Sequence, residues 1–125
     1  MGYELSIRAS FAAAHQLNGY EGVCENLHGH NWKAEVFVTT DKLNDIGIAL
    51  DFKILKSRTE DILSVLDHKN LNQIPPFQEI NPSSENIARW LYQKLSEALK
   101  GYDVKVSKVC VWETDKYCAA YSESL

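Results

Sequence analysis

Two alternating stretches near the start of the chain predict two strands that each bury one face. From Tyr3 to His15 the odd positions are apolar up to the final histidine, whereas charged and hydroxyl side chains occupy even positions up to Ser10. The second alternation starts at His28-Gly29-His30 and places apolar residues at even positions: Trp32, Ala34, Val36 and Val38. A period of two residues is typical of a strand with one face toward the core. His15 therefore shares the apolar face of the first predicted strand, and His28 and His30 share that of the second.

Helical spacing replaces the alternation in the middle of the chain and predicts two helices. Asp51 is a suitable N-cap for the first helix, and the apolar side chains after it lie at helical spacing: Leu55, Ile62, Leu63 and Leu66. We expect this helix to end near Asp67-His68-Lys69-Asn70, before Pro75-Pro76 interrupts regular structure. The second helix is predicted to start at Asn81-Pro82-Ser83-Ser84-Glu85, where capping side chains and an acid precede apolar residues spaced by four. Gly101 is expected to stop it.

The last part of the chain returns to strand-forming residues. Val104 to Glu113 predicts a strand, a turn follows at Thr114-Asp115-Lys116, and Ala119-Ala120-Tyr121 predicts a short final strand. The order strand, strand, helix, helix, strand, strand (ββααββ) predicts an α+β fold, in which a four-stranded antiparallel sheet carries both helices on one face. The exposed edges of such a sheet are either blunted or paired with another chain.

Length and composition indicate one globular domain that spans residues 1–125. The chain is 45% hydrophobic and 24% charged, which is ordinary for a soluble protein with a single core. The net charge of −4 and the lack of a basic run argue against a nucleic-acid partner. Because the sequence shows no long apolar span and no signal-peptide pattern, we expect no membrane association and a cytoplasmic location. Three cysteines without a disulfide-rich spacing suit a reducing compartment.

Three of the four histidines lie within the first 30 residues, at His15, His28 and His30. Because all three have the apolar parity of their predicted strands, the imidazoles are expected to point the same way and to bind a metal. The spacing is not that of a zinc finger, and three neutral ligands leave a fourth position open, which marks a catalytic zinc. Zinc is favoured over non-haem iron because an iron facial triad usually includes a carboxylate, although three-histidine iron sites exist. The plainer alternative is a set of unrelated core or surface histidines.

Cys24 lies beside this cluster in a polar segment of the chain. An ordinary thiol with a pKa of about 8.5 is only a few per cent thiolate at neutral pH, and a nearby cation or imidazolium would raise that fraction. We therefore predict that Cys24 acts as a general base or nucleophile. Cys110, in a valine-rich strand, is expected to be a buried structural residue, and Cys118 is assigned a structural role as well.

Two further positions carry candidate chemistry together with a plain structural alternative. Asp67-His68 either forms a proton relay at a frayed helix end or is a solvated pair in which the histidine interacts with the helix dipole. Glu113 closes a valine-rich strand, so its carboxylate lies either at the rim of the sheet or toward a ligand. A heterocycle with adjacent N–H donors would make Glu113 an anchor, because a carboxylate accepts two such bonds in parallel.

Six short motifs follow one another along the chain. They are Phe11-Ala-Ala-Ala-His15, Cys24-x-x-x-His28-Gly29-His30, Asp51-Phe52-x-x-Leu55-Lys56, Leu66-Asp67-His68-x-x-Leu71-Asn72, Asn81-Pro82-x-x-Glu85-Asn86 and Glu113-Thr114. Their series resembles the 6-pyruvoyltetrahydropterin synthase superfamily over nearly the whole chain. The short spacing between Cys24 and His28 is most similar to the 6-carboxytetrahydropterin synthase branch, since pyruvoyl-forming members tend to have a longer insert there. The chain departs from the family at Ser83-Ser84, where a Pro-Thr pattern is common, but a hydroxyl is kept.

The resemblance implies the tunnelling fold, which agrees with the predicted order of strands and helices. It implies a zinc ion bound by His15, His28 and His30. It also implies a homo-oligomer, usually a homohexamer built as a dimer of trimers, with active sites at subunit boundaries.

The resemblance further implies a set of catalytic roles. Cys24 would be the proton acceptor, and Asp67 and His68 would complete a relay that could form across subunits. Glu113 would hold a pterin ring through its amino and ring N–H groups. The implied activity is a zinc-dependent lyase of queuosine biosynthesis that converts 7,8-dihydroneopterin triphosphate to 6-carboxy-5,6,7,8-tetrahydropterin, acetaldehyde and triphosphate.

Rival functions keep the same residues but use them differently. A 6-pyruvoyltetrahydropterin synthase of the tetrahydrobiopterin pathway would share every site residue and process the side chain of the substrate differently. A zinc-binding structural or regulatory subunit would have an inert thiol, and a three-histidine iron dioxygenase would differ in its metal. The sequence contains no glycine-rich phosphate-binding loop.

Overall fold

The computed structural model describes residues 2–19 and 26–124 as one sheet with two helices. Along the chain the elements are β1 (Tyr3–His15), β2 (His28–Thr40), α1 (Phe52–Leu63), β3 (Lys69–Asn70), a 3-10 turn (Leu71–Gln73), α2 (Ser84–Ala98), β4 (Lys105–Thr114) and β5 (Tyr117–Tyr121). The strand order in the sheet is β3-β1-β2-β4-β5. β1 and β2 pair over their whole length, from Tyr3 opposite Thr40 to His15 opposite His28. This register brings the first two histidines to the same end of the sheet.

The prediction of a four-stranded antiparallel sheet is wrong in one respect, because a fifth strand lies at the outer edge of β1. β1, β2, β4 and β5 are antiparallel neighbours as expected, whereas β3 runs parallel to β1 and pairs only with Ala13 and Ala14. The predicted order ββααββ is therefore interrupted by a strand between the two helices, and the sheet is mixed. A strand of two residues is too short to leave a period-two pattern in the sequence.

The chain after α1 shows why β3 forms. α1 ends at Leu63, earlier than predicted, and His68 adopts a left-handed backbone conformation with a φ of 59°. The backbone N–H of His68 donates to the carbonyl oxygen of Ala12 at 2.6 Å, and the Ala12 N–H donates to Asp67 Oδ1 at 2.9 Å. These two bonds attach the chain to β1 and direct it along the edge of the sheet.

Both predicted helix starts are confirmed. Asp51 caps α1 by accepting from the Lys53 N–H at 2.8 Å, and Ser83 caps α2 by accepting from the Asn86 N–H at 3.1 Å. Such bonds satisfy backbone donors that the first turn of a helix leaves without a partner. In residues 2–19 and 26–124, no helix combines the length and hydropathy that crossing a bilayer requires.

One apolar cluster joins the buried faces of both helices to the inward side chains of the long strands. Its members include Phe11, Trp32, Val36, Val38, Leu55, Leu63, Ile87, Leu91, Leu95, Val109 and Val111. Full burial of one such side chain contributes about 1.5–3 kcal/mol to stability. The core therefore holds the ends of β1, β2 and β4 in fixed positions.

Two asparagines hold the chain where it leaves β1. The Asn72 amide donates to the carbonyl of Gln16 at 3.0 Å and accepts from the Gln16 N–H at 2.9 Å. Asn81 makes the same pair of bonds with Asn18, at 2.9 and 2.8 Å. Each amide satisfies both backbone groups of one residue. The segment that follows His15 is thus fixed to the segment that precedes α2.

Candidate metal centre

Three imidazoles converge at the end of the β1–β2 pair. His15 and His28 are directly opposite each other, and His30 lies two residues further along β2 on the same face. The ring centroid of His15 is 4.7 Å from that of His28 and 5.7 Å from that of His30. The fully buried Trp32 lies edge-on to both His15 and His30, at 4.9 and 5.6 Å. The strand register and the indole together position all three rings.

Backbone carbonyl groups orient two of the imidazoles. His15 Nδ1 lies 2.7 Å from the carbonyl oxygen of Pro82, and His28 Nδ1 lies 2.9 Å from that of Asn26. A carbonyl oxygen only accepts, so each Nδ1 carries a hydrogen and donates it. In the neutral rings, the Nε2 atoms then present lone pairs toward the cluster. Outer partners of this kind are typical of histidines that bind a metal, because they fix the ring and its tautomer.

Glu113 brings a carboxylate into the same cluster. Its Oε1 atom lies 2.8, 3.5 and 3.9 Å from the Nε2 atoms of His30, His15 and His28, respectively. The four potential ligand atoms all lie within 4.8 Å of one another. The group therefore combines three imidazoles with one carboxylate.

This donor set fits a bound cation. The Nε2 atoms of His15 and His30 are buried and have no hydrogen-bond partner among the residues that the structure describes. His30 Nε2 is close to the Glu113 carboxylate, yet the contact lacks hydrogen-bond geometry and does not satisfy the ring nitrogen. Buried lone pairs that face a carboxylate oxygen are unfavourable without a proton or a cation between them. A four-coordinate metal with bonds of about 2.0–2.1 Å sets its ligand atoms roughly 3.3 Å apart. The distances from Glu113 Oε1 to the three Nε2 atoms, 2.8, 3.5 and 3.9 Å, lie on both sides of that value.

The protonation of His30 also suits metal binding. Burial lowers the pKa of the His30 ring below its ordinary value, the neighbouring His28 and His15 rings act in the same direction, and the Glu113 carboxylate opposes them. A lowered pKa keeps the ring neutral near pH 7. The neutral imidazole is the form that coordinates a metal.

Asp67 and His68 are not members of this ligand group and lie where the chain reaches the outer edge of β1. Asp67 Oδ1 is 3.1 Å from His68 Nδ1, and the Ala12 N–H bond to the same carboxylate lowers the pKa of Asp67. The His68 side chain is 81% exposed. The two side chains form the carboxylate–imidazole pair that a relay requires, but neither belongs to the ligand group around His15 in the described structure.

The three cysteines have different positions. Cys24 lies outside the described residues, so its place beside the cluster stays a prediction. Cys110 is buried, and burial, with a smaller effect from Cys118, raises the pKa of its thiol to about 11. A thiol with a raised pKa is a weak nucleophile at neutral pH, which suits a structural role for Cys110. Cys118 is exposed.

A family model described as 6-pyruvoyl tetrahydropterin synthase matches residues 4–124. The chain belongs to this family. It is therefore an enzyme of the family, and the resemblance drawn from the six motifs is confirmed.

Relatives within the family carry different names. The chain is 39% identical over 108 residues to a 6-carboxy-5,6,7,8-tetrahydropterin synthase from Synechocystis sp., which covers 81% of this chain and 82% of the relative. It is 38% identical over 110 residues to a dihydroneopterin monophosphate aldolase from Pyrococcus furiosus. That match covers 88% of this chain and 89% of the relative. The structure of 6-pyruvoyl tetrahydropterin synthase from Caenorhabditis elegans matches with a TM-score of 0.86 over 99% of this chain and 97% of that chain, at 25% identity. The family and its fold are shared, whereas the named activities differ.

The position of Glu113 among the histidines is the feature of the site that the sequence did not predict. In β4, Trp112 is opposite Lys33 on the outward face, so Glu113 takes the inward parity of Val111. That parity is visible in the sequence as the continuation of an alternating valine pattern. The pairing of β4 with β2, which brings the carboxylate to the histidines, is not.

Proposed function

We propose that the protein is a zinc-dependent lyase that converts 7,8-dihydroneopterin triphosphate to 6-carboxy-5,6,7,8-tetrahydropterin, acetaldehyde and triphosphate, as a step of queuosine biosynthesis. The observation that carries the proposal is the convergence of three imidazole Nε2 atoms, two of which are buried without a hydrogen-bond partner in the described structure. The relative from Synechocystis sp., whose name states the carboxy product, supports the choice of reaction. We further propose that residues 1–125 act as one domain in the cytoplasm.

Zinc on His15, His28 and His30 suits the chemistry of the donors. Imidazole nitrogen is a preferred zinc ligand, and three protein ligands with one further position are typical of a catalytic zinc. When bound, the metal would polarise the side-chain oxygens of the substrate as a Lewis acid. The rings would hold it through Nε2, while the carbonyl groups of Pro82 and Asn26 keep the required tautomers.

The remaining candidate residues would move protons and orient the substrate. Cys24, just before the His-Gly-His motif in the chain, would exchange protons at the side-chain carbons of the substrate. Asp67 and His68, 3.1 Å apart, would relay protons for the thiol of a neighbouring subunit, because they lie outside the cluster of their own chain. Glu113 would accept from the amino and ring N–H groups of the pterin.

A relay across subunits requires a homo-oligomer, and we propose a homohexamer that is a dimer of trimers. The described sheet is open at both edges. β3 covers only Ala13 and Ala14 of the 13-residue strand β1, and β5 has a neighbour on one side only, with Tyr117 68% exposed. Open edge strands either pair with another chain or carry features that prevent pairing.

Light scattering at micromolar concentration is expected to give about six times the 14.2 kDa mass of the chain. The open edges of β1 and β5 supply the backbone groups through which subunits would join their sheets. A monomer mass at the same concentration would contradict both the hexamer and the relay between subunits.

Co-expression of two inactive variants, Cys24→Ala and His68→Ala, is expected to restore part of the turnover. If subunits mix at random and each site takes Cys24 from one chain and His68 from another, about one quarter of the sites regain both groups. Each variant expressed alone is the control. Mixed oligomers that stay as inactive as the single variants would place the relay within one chain.

A second candidate reaction is supported by the 38% identical relative from Pyrococcus furiosus, which is named dihydroneopterin monophosphate aldolase. Polarising a side-chain oxygen also assists aldol cleavage, so the same three imidazoles would serve. A relative from Poecilia reticulata, 30% identical and named 6-pyruvoyl tetrahydrobiopterin synthase, represents a third reaction, in which the side chain keeps its carbons. The three reactions differ in which bonds of the substrate side chain break.

Product identification separates these reactions. Zinc-reconstituted protein is incubated with 7,8-dihydroneopterin triphosphate and, separately, with the monophosphate, and the pterin products are identified by mass spectrometry. We expect 6-carboxytetrahydropterin from the triphosphate and little turnover of the monophosphate. A 6-pyruvoyl product or preferred cleavage of the monophosphate would overturn the proposed reaction. Complete inactivity with both would favour a non-catalytic zinc-binding subunit.

A further inference from the structure

Two free cysteines lie diagonally across the neighbouring strands β4 and β5. Cys110 is opposite Ala120, and Cys118 is opposite Trp112, so the two thiols are two residues apart in the register. Side chains in this relation lie on the same face of a sheet and within reach of each other. The strand pairing therefore brings both thiols of this part of the chain together.

The pair lies on the face of the sheet that is turned away from the core. Val109 and Val111 belong to the apolar core, so Cys110 between them points outward. Cys118 shares that outward face. Cys110 is buried under its neighbours, whereas Cys118 is exposed, so solvent reaches the pair from the side of Cys118. The histidine cluster, on the inward face, is separate from it.

The two thiols are close enough to affect each other. Burial is the largest cause that raises the pKa of the Cys110 thiol to about 11, and the Cys118 thiol is the next largest. The Lys108 ammonium acts in the opposite direction. The proton on Cys110 is therefore held firmly unless a cation takes its place, because a coordinated thiol is deprotonated.

We propose that Cys110 and Cys118 form a binding site for a soft, thiophilic metal ion, Cu⁺ in the first place, separate from the histidine centre. Each thiol releases its proton to solvent and binds the ion through a sulfur lone pair, and no electron is transferred. The inference does not depend on the proposed lyase reaction. It gives one sheet two metal sites of different preference, with imidazole donors on one face and thiolate donors on the other.

The number and kind of donors select the ion. Within residues 2–19 and 26–124, the histidine cluster with Glu113 is the only group of three or more potential ligands, so the cysteine pair offers two. Glu35, opposite Cys110 on β2, is a hard oxygen donor, and its carboxylate lies 3.4 Å from the Arg8 guanidinium. Zinc usually takes three or four protein ligands, whereas soft thiolates suit Cu⁺, for which two are sufficient.

The register favours a bridging ion over a disulfide. Diagonal neighbours in an antiparallel pair have Cα atoms about 7–8 Å apart, whereas a disulfide usually requires about 4.4–6.8 Å. Two metal–sulfur bonds of about 2.3 Å each let the sulfur atoms lie up to about 4.6 Å apart, compared with about 2.05 Å across a disulfide. The longer bridge spans the diagonal without a shift of the backbone.

Titration of the zinc-loaded protein with Cu⁺ tests the site. In the absence of oxygen, competition with the chromophoric chelator bicinchoninate gives the affinity, and elemental analysis follows zinc in the same samples. We expect wild type to bind one Cu⁺ per chain and to retain its zinc, and Cys118→Ser and Cys110→Ser each to bind at least about 100-fold more weakly. Cys24→Ala removes the third cysteine of the chain and, as the matched control, should bind like wild type. Circular dichroism verifies that each variant is folded.

Equal affinity of wild type and Cys118→Ser, or a wild type that takes no Cu⁺ from the chelator, would overturn the inference. Cys118→Ser changes an exposed side chain, so it decides the question even if Cys110→Ser does not fold. Loss of binding in Cys24→Ala, or release of one zinc for each Cu⁺ bound, would place the ion at the histidine centre instead.

Glutathione disulfide separates the ion site from a redox switch. Mass spectrometry of the metal-free protein after this treatment is expected to show no disulfide between Cys110 and Cys118. Loss of two hydrogens from the protein, with reduction of glutathione disulfide to two molecules of glutathione, would show that the two sulfur atoms reach bonding distance. That result would overturn the choice of an ion over a disulfide.

Discussion

Replacement of His28 by alanine is expected to weaken metal binding by more than about 100-fold. The loss of an outer partner of a metal ligand alone costs about 10–100-fold, and His28 is proposed as a direct ligand. His28 is a suitable position for this test because its side chain is 37% exposed, so that the change leaves the apolar core intact. The side chain of His15 is only 2% exposed, so replacement of His15 by alanine would also leave a cavity in the core.

The fourth histidine provides the matched control. His68 is exposed and lies outside the ligand group, so His68→Ala should retain the metal of wild type, about one per chain. Metal content is measured by elemental analysis after dialysis against a weak chelator. Undiminished metal in His28→Ala would show that the ligand assignment is wrong.

Cys24→Ala is expected to lower turnover by roughly 10²–10⁴-fold, the usual contribution of a positioned general base, and to leave metal content unchanged. The thiol is proposed as a base and not as a ligand. The three imidazoles and the Glu113 carboxylate already form a group of four donors within the described residues. Turnover of 7,8-dihydroneopterin triphosphate and zinc content are measured on the same preparations.

Alanine variants of the other two cysteines show whether lost turnover reflects a lost catalytic group or a destabilised fold. Cys118→Ala removes an exposed thiol and should keep both turnover and metal. Cys110→Ala removes a buried side chain and should lower the free energy of unfolding instead. Near-normal turnover by Cys24→Ala would remove the thiol from the mechanism, and loss of metal in that variant would make Cys24 a ligand.

Features that follow from local or repeated patterns were predictable from the sequence. The alternation along β1 and β2 determines which side chains face the core, and it places His15, His28 and His30 on one face before any contact is known. The caps at Asp51 and Ser83 depend on bonds to residues two or three positions away. Such short-range bonds leave a residue-type signature that can be recognised directly.

Features that depend on contacts between distant residues were not predictable in the same way. β3 forms because Asp67 and His68 bond to Ala12, which is 55 positions from Asp67 along the chain. Glu113 joins the histidines only through the register of β4 on β2, which includes a shift between Phe37 and Val38. β3 is too short to show an alternation of apolar and polar residues. The residue pattern of β4 alone does not determine its register on β2.

The ratio of acetaldehyde to triphosphate released from 7,8-dihydroneopterin triphosphate tests the proposed reaction most directly. The substrate has a side chain of three carbons, and a carboxy product keeps one of them, so the other two must leave as a fragment. With zinc-reconstituted wild-type protein, we expect one acetaldehyde for each triphosphate. Triphosphate released without acetaldehyde, or a two-carbon aldehyde that still carries the phosphates, would contradict the assignment of this protein as a carboxy-forming lyase.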